Sequence, residues 1–187
     1  TFIGRYSTGL GNLSGETVAF GDGKLFVTNT AGGGSLDVVS ATDPSTPTLI
    51  TRISTAPGLP NSVAVHDGLV AVAVEDAVKT NPGKVLFFDT AGAPLGEVIV
   101  GALPDMVTFT ADGDRVLVAN EGEPNSYNQL TSVDPEGSVS VLDVSAVRTG
   151  GSASATTIGF SDFNAGGPRA GELPALQRAQ VALVAHR

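Results

Sequence analysis

The stretch NSVAVHDGLVAVAV, residues 61–74, carries the clearest structural signal in this 187-residue chain. Its apolar residues alternate on both sides of Asp67-Gly68, and an Asp-Gly pair between alternating runs is the strongest short signal of a β-hairpin. Glycine tolerates the positive φ that a tight primed turn needs. The stretch therefore predicts two antiparallel strands joined by a tight turn.

The same pattern occurs twice more along the chain. ETVAFGDGKLFVTN (residues 16–29) precedes this stretch, and DMVTFTADGDRVLVAN (residues 105–120) follows it. Val18, Val63 and Val107 mark the same position in the three copies, at intervals of about 45 residues. A repeat of this length indicates one structural unit per copy. We therefore also expect hairpin turns at Asp22-Gly23 and Asp112-Gly113.

Each copy continues into two further strands. The third strands begin with Gly: GSLDVVS (34–40), GKVLFFD (83–89) and GSVSVLD (137–143). Weaker fourth strands follow: TLITRI (48–53), PLGEVIVG (94–101) and SATTIGF (154–160). Four short antiparallel strands in about 40 to 45 residues are typical of a β-propeller blade. The predicted fold is all-β, a partial β-propeller of about three four-stranded, WD40-like blades.

The predicted blades occupy residues 1–163, with repeats at about 15–57, 58–101 and 102–160. Residues 164–187 are assigned to a linker and a short, weakly held C-terminal helical tail, because apolar residues such as Leu176 and Leu183 recur at helical spacing. Propellers usually have about four to eight blades. Three blades would leave apolar surface open, so we expect self-association through the open blade edges.

Composition excludes several classes of function. With 19 acidic and 10 basic side chains the net charge is -9, which disfavours nucleic-acid partners. The chain has no cysteine, which excludes disulfides, thiolate metal sites and cysteine nucleophiles. Apolar runs such as residues 69–74 are far shorter than the roughly 20 residues of a membrane span. The chain starts at Thr1 without a signal sequence, so any secretory signal would already have been removed.

Five stretches carry a family resemblance. They are TFIGRYSTG (1–9), NSVAVHDGLVAVAVEDAVKTNPGKVLFFD (61–89), GALPDMVTFTADGDRVLVANEGEPN (101–125), VDPEGSVSVLDVS (133–145) and DFNAGGPRAGELPA (162–175). Together they resemble the N-terminal part of the choice-of-anchor I proteins. The resemblance implies a secreted or cell-surface (or periplasmic) bacterial β-propeller of the YVTN type, a group also described as mesenchyme-specific cell surface glycoprotein-like or alkaline phosphatase-like.

The chain departs from that family in two places. Residues 126–133 replace a short acidic link, and after Ala175 the sequence no longer follows the family pattern of further blades. A truncated or frame-shifted product would end in this way. We therefore also consider a propeller fragment without independent activity.

An acidic loop separates the second and third strands of the last repeat. Glu121, Glu123, Asp134 and Glu136 lie in it, and carboxylate oxygens are the ligands that Ca²⁺ and Mg²⁺ prefer. Their spacing matches no EF-hand loop, and the alternative is a long turn with solvated carboxylates. Both interpretations stay open, and the four residues are the candidate metal ligands.

The corresponding loop of the middle repeat is also charged. Glu75, Asp76 and Lys79 follow the second strand of that repeat, so they are expected at the same end of the propeller as Glu121 and Glu123. Meeting near the axis, these side chains would form one carboxylate-rich end.

No motif in the sequence assigns a catalytic residue. The chain lacks G-x-S-x-G, H-E-x-x-H and P-loop patterns, and of its two histidines His66 is predicted to be a surface turn residue. The favoured function is a non-enzymatic extracellular or cell-surface binding or scaffolding module, in its sharper form dependent on a divalent cation. The alternative is a metal-dependent phosphoester hydrolase, which rests on the family's phosphatase-like label and on the loop carboxylates.

Overall fold

A computed structural model of the chain describes residues 2–11, 14–127, 129–164 and 166–172. These residues hold three four-stranded antiparallel sheets in sequential strand order, called blade 1 (β1–β4), blade 2 (β5–β8) and blade 3 (β9–β12). The strands are β1 Gly15–Gly21, β2 Lys24–Asn29, β3 Ser35–Ser40, β4 Thr48–Ser54, β5 Pro60–His66, β6 Leu69–Val74, β7 Pro82–Asp89, β8 Pro94–Ala102, β9 Pro104–Phe109, β10 Arg115–Asn120, β11 Ser138–Asp143 and β12 Ser154–Gly159. The all-β, bladed fold predicted from the repeat is confirmed.

The first two hairpins have the predicted tight turns. Asp22 and Gly23 have φ angles of 50° and 69°, and Asp67 and Gly68 have φ angles of 43° and 79°. Positive φ at both central residues is the signature of a type I′ turn, whose twist matches that of the flanking strands. The Asp-Gly prediction therefore holds in blades 1 and 2.

The hairpin of blade 3 is present, but its predicted tight turn at Asp112-Gly113 is wrong. Gly113 has a φ of 74°, whereas Asp112 is not among the residues with positive φ. The Thr110 N–H donates to the Arg115 carbonyl (2.9 Å), which closes a longer loop. The Thr110–Arg115 pair leaves residues 111–114 in the connection, two more than in the other hairpins, and this longer loop does not need a primed turn.

Blade 2 is covered on both faces by its neighbours. Strand β6 sends alternate side chains into two apolar layers, one shared with blade 1 and one shared with blade 3, and all six residues of the strand are fully buried. Val70, Val72 and Val74 face blade 1, and Leu69, Ala71 and Ala73 face blade 3. This two-sided burial explains why LVAVAV is an unbroken apolar run instead of an alternation with polar residues.

The N-terminal segment lies against blade 1 on the face that points away from blade 2. The Tyr6 hydroxyl donates to Asp37 Oδ2 (2.6 Å), and Arg52 donates to both carboxylate oxygens of Asp37 (2.6 and 2.8 Å). Arg52 Nη2 also donates to the Thr8 carbonyl (2.7 Å). The Asp37 side chain has no exposure to solvent, and its charge is compensated by this clamp together with a side-chain hydrogen bond from Asn29.

The electrostatics of the clamp follow from its burial. Burial raises the pKa of Tyr6 to about 12, and the hydrogen bond to Asp37 acts in the same direction. Burial alone would raise the pKa of Asp37, but the hydrogen bonds from Arg52 and Tyr6 hold that pKa below its ordinary value. Asp37 is therefore ionised, and the N-terminal segment is fixed to blade 1 by a charged contact.

The end of the chain is described only in part. Residues Ser161–Phe163 form a single 3-10 turn after β12. The predicted helical tail, with Leu176 and Leu183, lies outside the described residues. Within the described ranges no helix has the length and apolar character that crossing a bilayer requires.

Candidate functional site

The loops that carry the candidate residues lie together at one end of the blades, which we call the loop end. There the loop after the second strand of a blade is hydrogen-bonded to the connection that enters the same blade. Glu75 N–H donates to the Leu59 carbonyl (3.0 Å), and Glu121 N–H donates to the Leu103 carbonyl (2.8 Å). This repeated backbone bond fixes both loops at equivalent heights on neighbouring blades.

An ion pair joins the loop ends of blades 2 and 3. Lys79 Nζ lies 2.9 Å from Glu123 Oε2, and each side chain is about one third exposed (36% and 34%). The Tyr127 hydroxyl donates to Glu123 Oε1 (3.0 Å). The sequence-based expectation that Lys79 and Glu123 meet is therefore confirmed.

Four carboxylates influence one another around this lysine: Glu75, Asp105, Glu121 and Glu123, called the end cluster. Burial raises the pKa of Glu121, and the charges of Asp105 and Glu123 raise it further. Burial also raises the pKa of Glu75, with Glu123 and Asp105 adding to the effect, while Asn61 and Lys79 oppose it. The hydrogen bond from Lys79 instead lowers the pKa of Glu123. The single lysine leaves the cluster with excess negative charge.

The other two predicted ligands are not among the groups that shift the pKa values of this cluster. Glu136 Oε1 accepts hydrogen bonds from the backbone N–H groups of Phe160 (2.9 Å) and Ser161 (2.7 Å), where β12 ends. Asp134 is exposed in the acidic loop. In the part of the chain that the structure describes, no three His, Asp or Glu side chains are arranged to hold a metal ion. The Oε1 atom of Glu136 is thus engaged by the backbone where β12 ends, away from the Lys79–Glu123 pair.

The acidic loop is folded back on itself. Asn125 N–H donates to the Val133 carbonyl (3.1 Å), and Val133 N–H donates to Asn125 Oδ1 (3.0 Å). Ser132 Oγ donates to the Ser126 carbonyl (2.5 Å). These bonds join the two ends of the segment 125–133. Glu121 and Glu123 precede this closed segment and lie next to Lys79 of blade 2.

Two members of the site were not singled out by sequence reasoning. Asp105 is the second residue of β9, directly after the connection from blade 2, so its position in the repeat could have placed it at the loop end. Asn61 donates from Nδ2 to the Pro104 carbonyl (3.2 Å), which ties blade 2 to blade 3 beside the cluster. Asn61 is the second residue of β5, and a single asparagine at the start of an apolar strand does not by itself indicate a functional site.

A shallow cavity of about 240 Å³ adjoins the end cluster. Glu75 belongs to both, and the cavity is further lined by Asp76, Lys84 and Glu97. Lys84 Nζ lies 2.9 Å from Glu97 Oε2 and closes one side. Its volume is below the roughly 300 Å³ at which pockets for drug-sized ligands begin. The loop end therefore offers space for an ion or a single side chain.

The blades at the loop end pack too closely for side chains at some positions. A Cβ added to Gly83, at the start of β7, would lie 2.5 Å from Pro104 Cδ of blade 3. Such a distance is far inside van der Waals contact, so only glycine fits. The Gly that begins the third strand, used above as a strand signal, is thus required here by packing between blades.

Comparison with known proteins agrees with this architecture. A solved structure titled europium-containing methanol dehydrogenase matches with a TM-score of 0.51 and 13% sequence identity, covering 79% of this chain and 26% of that chain. At this identity the likeness shows the fold alone. The chain spans about a quarter of the dehydrogenase chain. None of the curated proteins compared with the chain matches it.

The family comparison covers most of the sequence. The model of the choice-of-anchor I domain matches residues 17–172, from the third residue of β1 to beyond β12. Together with the three blades, this match supports an extracellular β-propeller-like module. The chain therefore belongs to the choice-of-anchor I domain family.

Proposed function

We propose that the chain is a non-catalytic binding module, at the cell surface or secreted, that takes a cationic ligand at its loop end. The observation that carries the proposal is the ion pair between Lys79 and Glu123, a single cation shared between blades among four carboxylates. In its sharper form the ligand is Ca²⁺ or Mg²⁺, and the binding of further partners depends on that ion.

The charge balance of the end cluster supports a cationic ligand. The pKa values of Glu75 and Glu121 are raised, which means that their negative charge is not fully compensated where it stands. A cation bound near them would lower the free energy of their ionised forms. Glu121 is exposed, so an ion can reach it from solvent without any rearrangement of the blades.

Binding is favoured over catalysis because the described histidine is remote from the cluster. His66 ends β5 at the turn end of blade 2, opposite the loop end, and its ring centroid lies 5.7 Å from that of Phe109. The sequence predicted a surface turn residue at this position, but the His66 side chain is only 28% exposed. His66 cannot serve as a base for a ligand held at Glu121.

Calorimetric titration with Ca²⁺ and with Mg²⁺ tests the proposal. We expect heat of binding with at least one ion, lost or weakened at least tenfold in Glu121→Gln and unchanged in Glu16→Gln, a matched control on blade 1. Equal binding by Glu136→Gln would limit the site to the end cluster, whereas its weakening would extend the site to the predicted set of four. No heat and no thermal shift with either ion would overturn the cation site.

A phosphomonoester assay run on the same samples separates binding from hydrolysis. The binding module predicts no turnover with or without the ions. Turnover that disappears in Glu121→Gln would replace this proposal by the metal-dependent hydrolase.

A further inference from the structure

The cavity at the loop end lies on the side of blade 2 that points toward blade 1. Pro57 and Gly58, in the connection that joins these two blades, line part of it. Lys84 also lines it and pairs with Val74 of β6 and with Ile99 of β8, so these side chains share one face of blade 2. Ile99 is 59% exposed, so blade 1 leaves the outermost strand of blade 2 uncovered at this point. The cavity thus stays accessible whatever packs on the outer faces, which are the faces of blades 1 and 3 that point away from blade 2.

The lining of the cavity combines apolar walls with charged groups. Pro57, Pro82 and Ile99 supply hydrocarbon surface, and Glu75 and Glu97 supply carboxylates. Lysine and arginine side chains match such a lining, because they lay an aliphatic stem on apolar surface and keep a charged head in polar surroundings. A divalent ion would use the carboxylates but would gain nothing from the hydrocarbon surface. The cavity therefore fits a basic side chain better than a free ion.

The charges of the lining also favour a cation. Three carboxylates, those of Glu75, Asp76 and Glu97, line the cavity together with one ammonium group, that of Lys84. Lys84 is already paired with Glu97 at 2.9 Å, and Asp76 Oδ1 accepts two hydrogen bonds from its own loop (2.9 and 3.1 Å). Burial raises the pKa of Glu75, although nearby groups oppose this shift. Glu75 is therefore the carboxylate that gains most from a further cation.

The apolar walls distinguish between two sources of a basic side chain. Free lysine and free arginine carry two further charges at the α-carbon, and placing these charges beside Ile99 and the prolines would cost desolvation free energy. Within a polypeptide both groups are part of amide bonds and carry no charge. The volume of about 240 Å³ admits a single side chain, so the rest of the partner stays outside. A basic residue within a protein segment is therefore favoured.

We propose that this cavity holds a lysine or arginine side chain from an exposed segment of a partner protein. The aliphatic stem lies on Ile99 and the charged head lies beside Glu75. The inference rests on the proposed function, because Glu75 belongs to both the cavity and the end cluster, and it names a protein as the source of the cationic ligand.

Titration of the ¹⁵N-labelled chain with matched peptides tests the proposal. The probes are the capped pentapeptide Ala-Ala-Lys-Ala-Ala and the same peptide with norleucine, which keeps the stem but lacks the charge. We expect the lysine peptide to shift the amide signals of Gly58, Glu75 and Ile99 and to bind at least tenfold more tightly than the norleucine peptide. Equal binding of the two peptides, or no shifts with up to about 10 mM lysine peptide, would overturn the proposal.

Two substitutions separate the charge from the apolar wall. Glu75→Gln should remove the preference for lysine over norleucine, and Ile99→Ser should weaken the binding of both peptides. Ile158→Ser is the matched control, at an isoleucine of the fourth strand of blade 3 that is 50% exposed, and it should change neither. A lysine preference that survives in Glu75→Gln would contradict the assignment of the charged contact.

The titrations are run with Ca²⁺ and Mg²⁺ and again with EDTA, which separates this proposal from the ion site. A preference for lysine in either buffer supports the basic side chain. Ion binding at Glu121 with no lysine preference in either buffer would overturn this inference and leave the proposed function in place. A lysine preference without any ion binding would instead overturn the divalent-cation form of the proposed function and leave this inference in place.

Discussion

Three valines at one position of the repeat differ sharply in their surroundings. Val63 and Val107 are 7% and 4% exposed, whereas Val18 is 60% exposed. Each of the three points toward the place of a preceding blade, and only the first has none within the described chain. The residue type follows the repeat, but the burial follows the neighbour. The apolar outer faces of blades 1 and 3 are therefore blade interfaces without a partner within the described chain.

The largest contrast is expected between the two faces of blade 1. Phe26, fully buried against blade 2, and Phe20, 65% exposed on the outer face, lie on adjacent strands of the same sheet. Phe26→Ala should lower the free energy of unfolding by about 4 kcal/mol, through lost burial and a cavity. Phe20→Ala should change it by less than about 0.5 kcal/mol. Urea denaturation measures both losses, and equal losses would refute the comparison.

The second largest loss of stability is expected where the N-terminal segment covers the outer face of blade 1. Arg52→Ala leaves the buried carboxylate of Asp37 without its cation, and we expect a loss of about 3 kcal/mol. Tyr6→Phe removes one hydrogen bond and should cost about 1 kcal/mol. Arg5→Ala, an exposed arginine of the same segment, is the matched control and should be neutral.

The clamp also determines how its contribution to the free energy of unfolding changes with pH. The folded pKa of Asp37 is lowered, so its contribution is present above the unfolded pKa and is lost as pH falls through the folded pKa. Removing Arg52 should therefore cost less in strong acid than at pH 7. A loss that does not change with pH would show that packing, and not charge, holds the segment.

A smaller effect is expected at the turn end, where the Arg148 side chain links blades 2 and 3. Arg148 donates to the carbonyls of His66 (2.9 Å), Asp67 (3.2 Å) and Gly113 (3.3 Å), bridging the hairpin turns of both blades. The side chain is exposed, so Arg148→Ala should cost only about 1 kcal/mol. Arg115→Ala, an exposed arginine on the outer face of blade 3, should cost nothing measurable. Thermal unfolding of both variants makes the comparison, and equal melting temperatures would contradict it.

The smallest effect is expected from the ion pair at the loop end. Lys79→Met should cost less than about 1 kcal/mol, since the pair is partly solvated. The lowered pKa of Glu123 and the raised pKa of Lys79 mean that the pair stabilises between these values and is lost beyond either one.

Glu121 should behave in the opposite sense. Its folded pKa is raised, so its contribution is present below the unfolded pKa and is lost as pH rises through the folded pKa. Glu121→Gln should therefore raise the melting temperature at pH 7 in the absence of cations, and this gain should vanish in acid. A lower melting temperature for Glu121→Gln at pH 7 would show that the carboxylate is already compensated.

Much of the bladed fold could be predicted because its signals are local. Alternation of apolar residues, Asp-Gly turns and opening glycines each act within a few residues, and they repeat about every 45 positions. The exception at Asp112 has the same local origin, since a connection longer by two residues changed the turn. The meeting of Lys79 with Glu123 also followed from the repeat, because equivalent loops of neighbouring blades must lie at one end.

The chemistry of the candidate site was less accessible to sequence reasoning. Four carboxylates of one loop looked equivalent, but Glu136 accepts two backbone N–H groups at the end of β12, while Glu121 and Glu123 face blade 2. Asp105 joins them from a different strand. These relations depend on contacts between segments distant in the chain, which neither spacing nor composition encodes.

The strands, their hairpins and the three-fold repetition follow from the amino-acid sequence alone, because backbone conformation and side-chain alternation are short-range properties. The burial of particular blade faces, the set of carboxylates around Lys79, and the clamp of Tyr6, Asp37 and Arg52 become visible only in the folded chain. Burial and electrostatic coupling depend on distances in space, so identical positions such as Val18 and Val63 acquire different roles only when the blades are stacked.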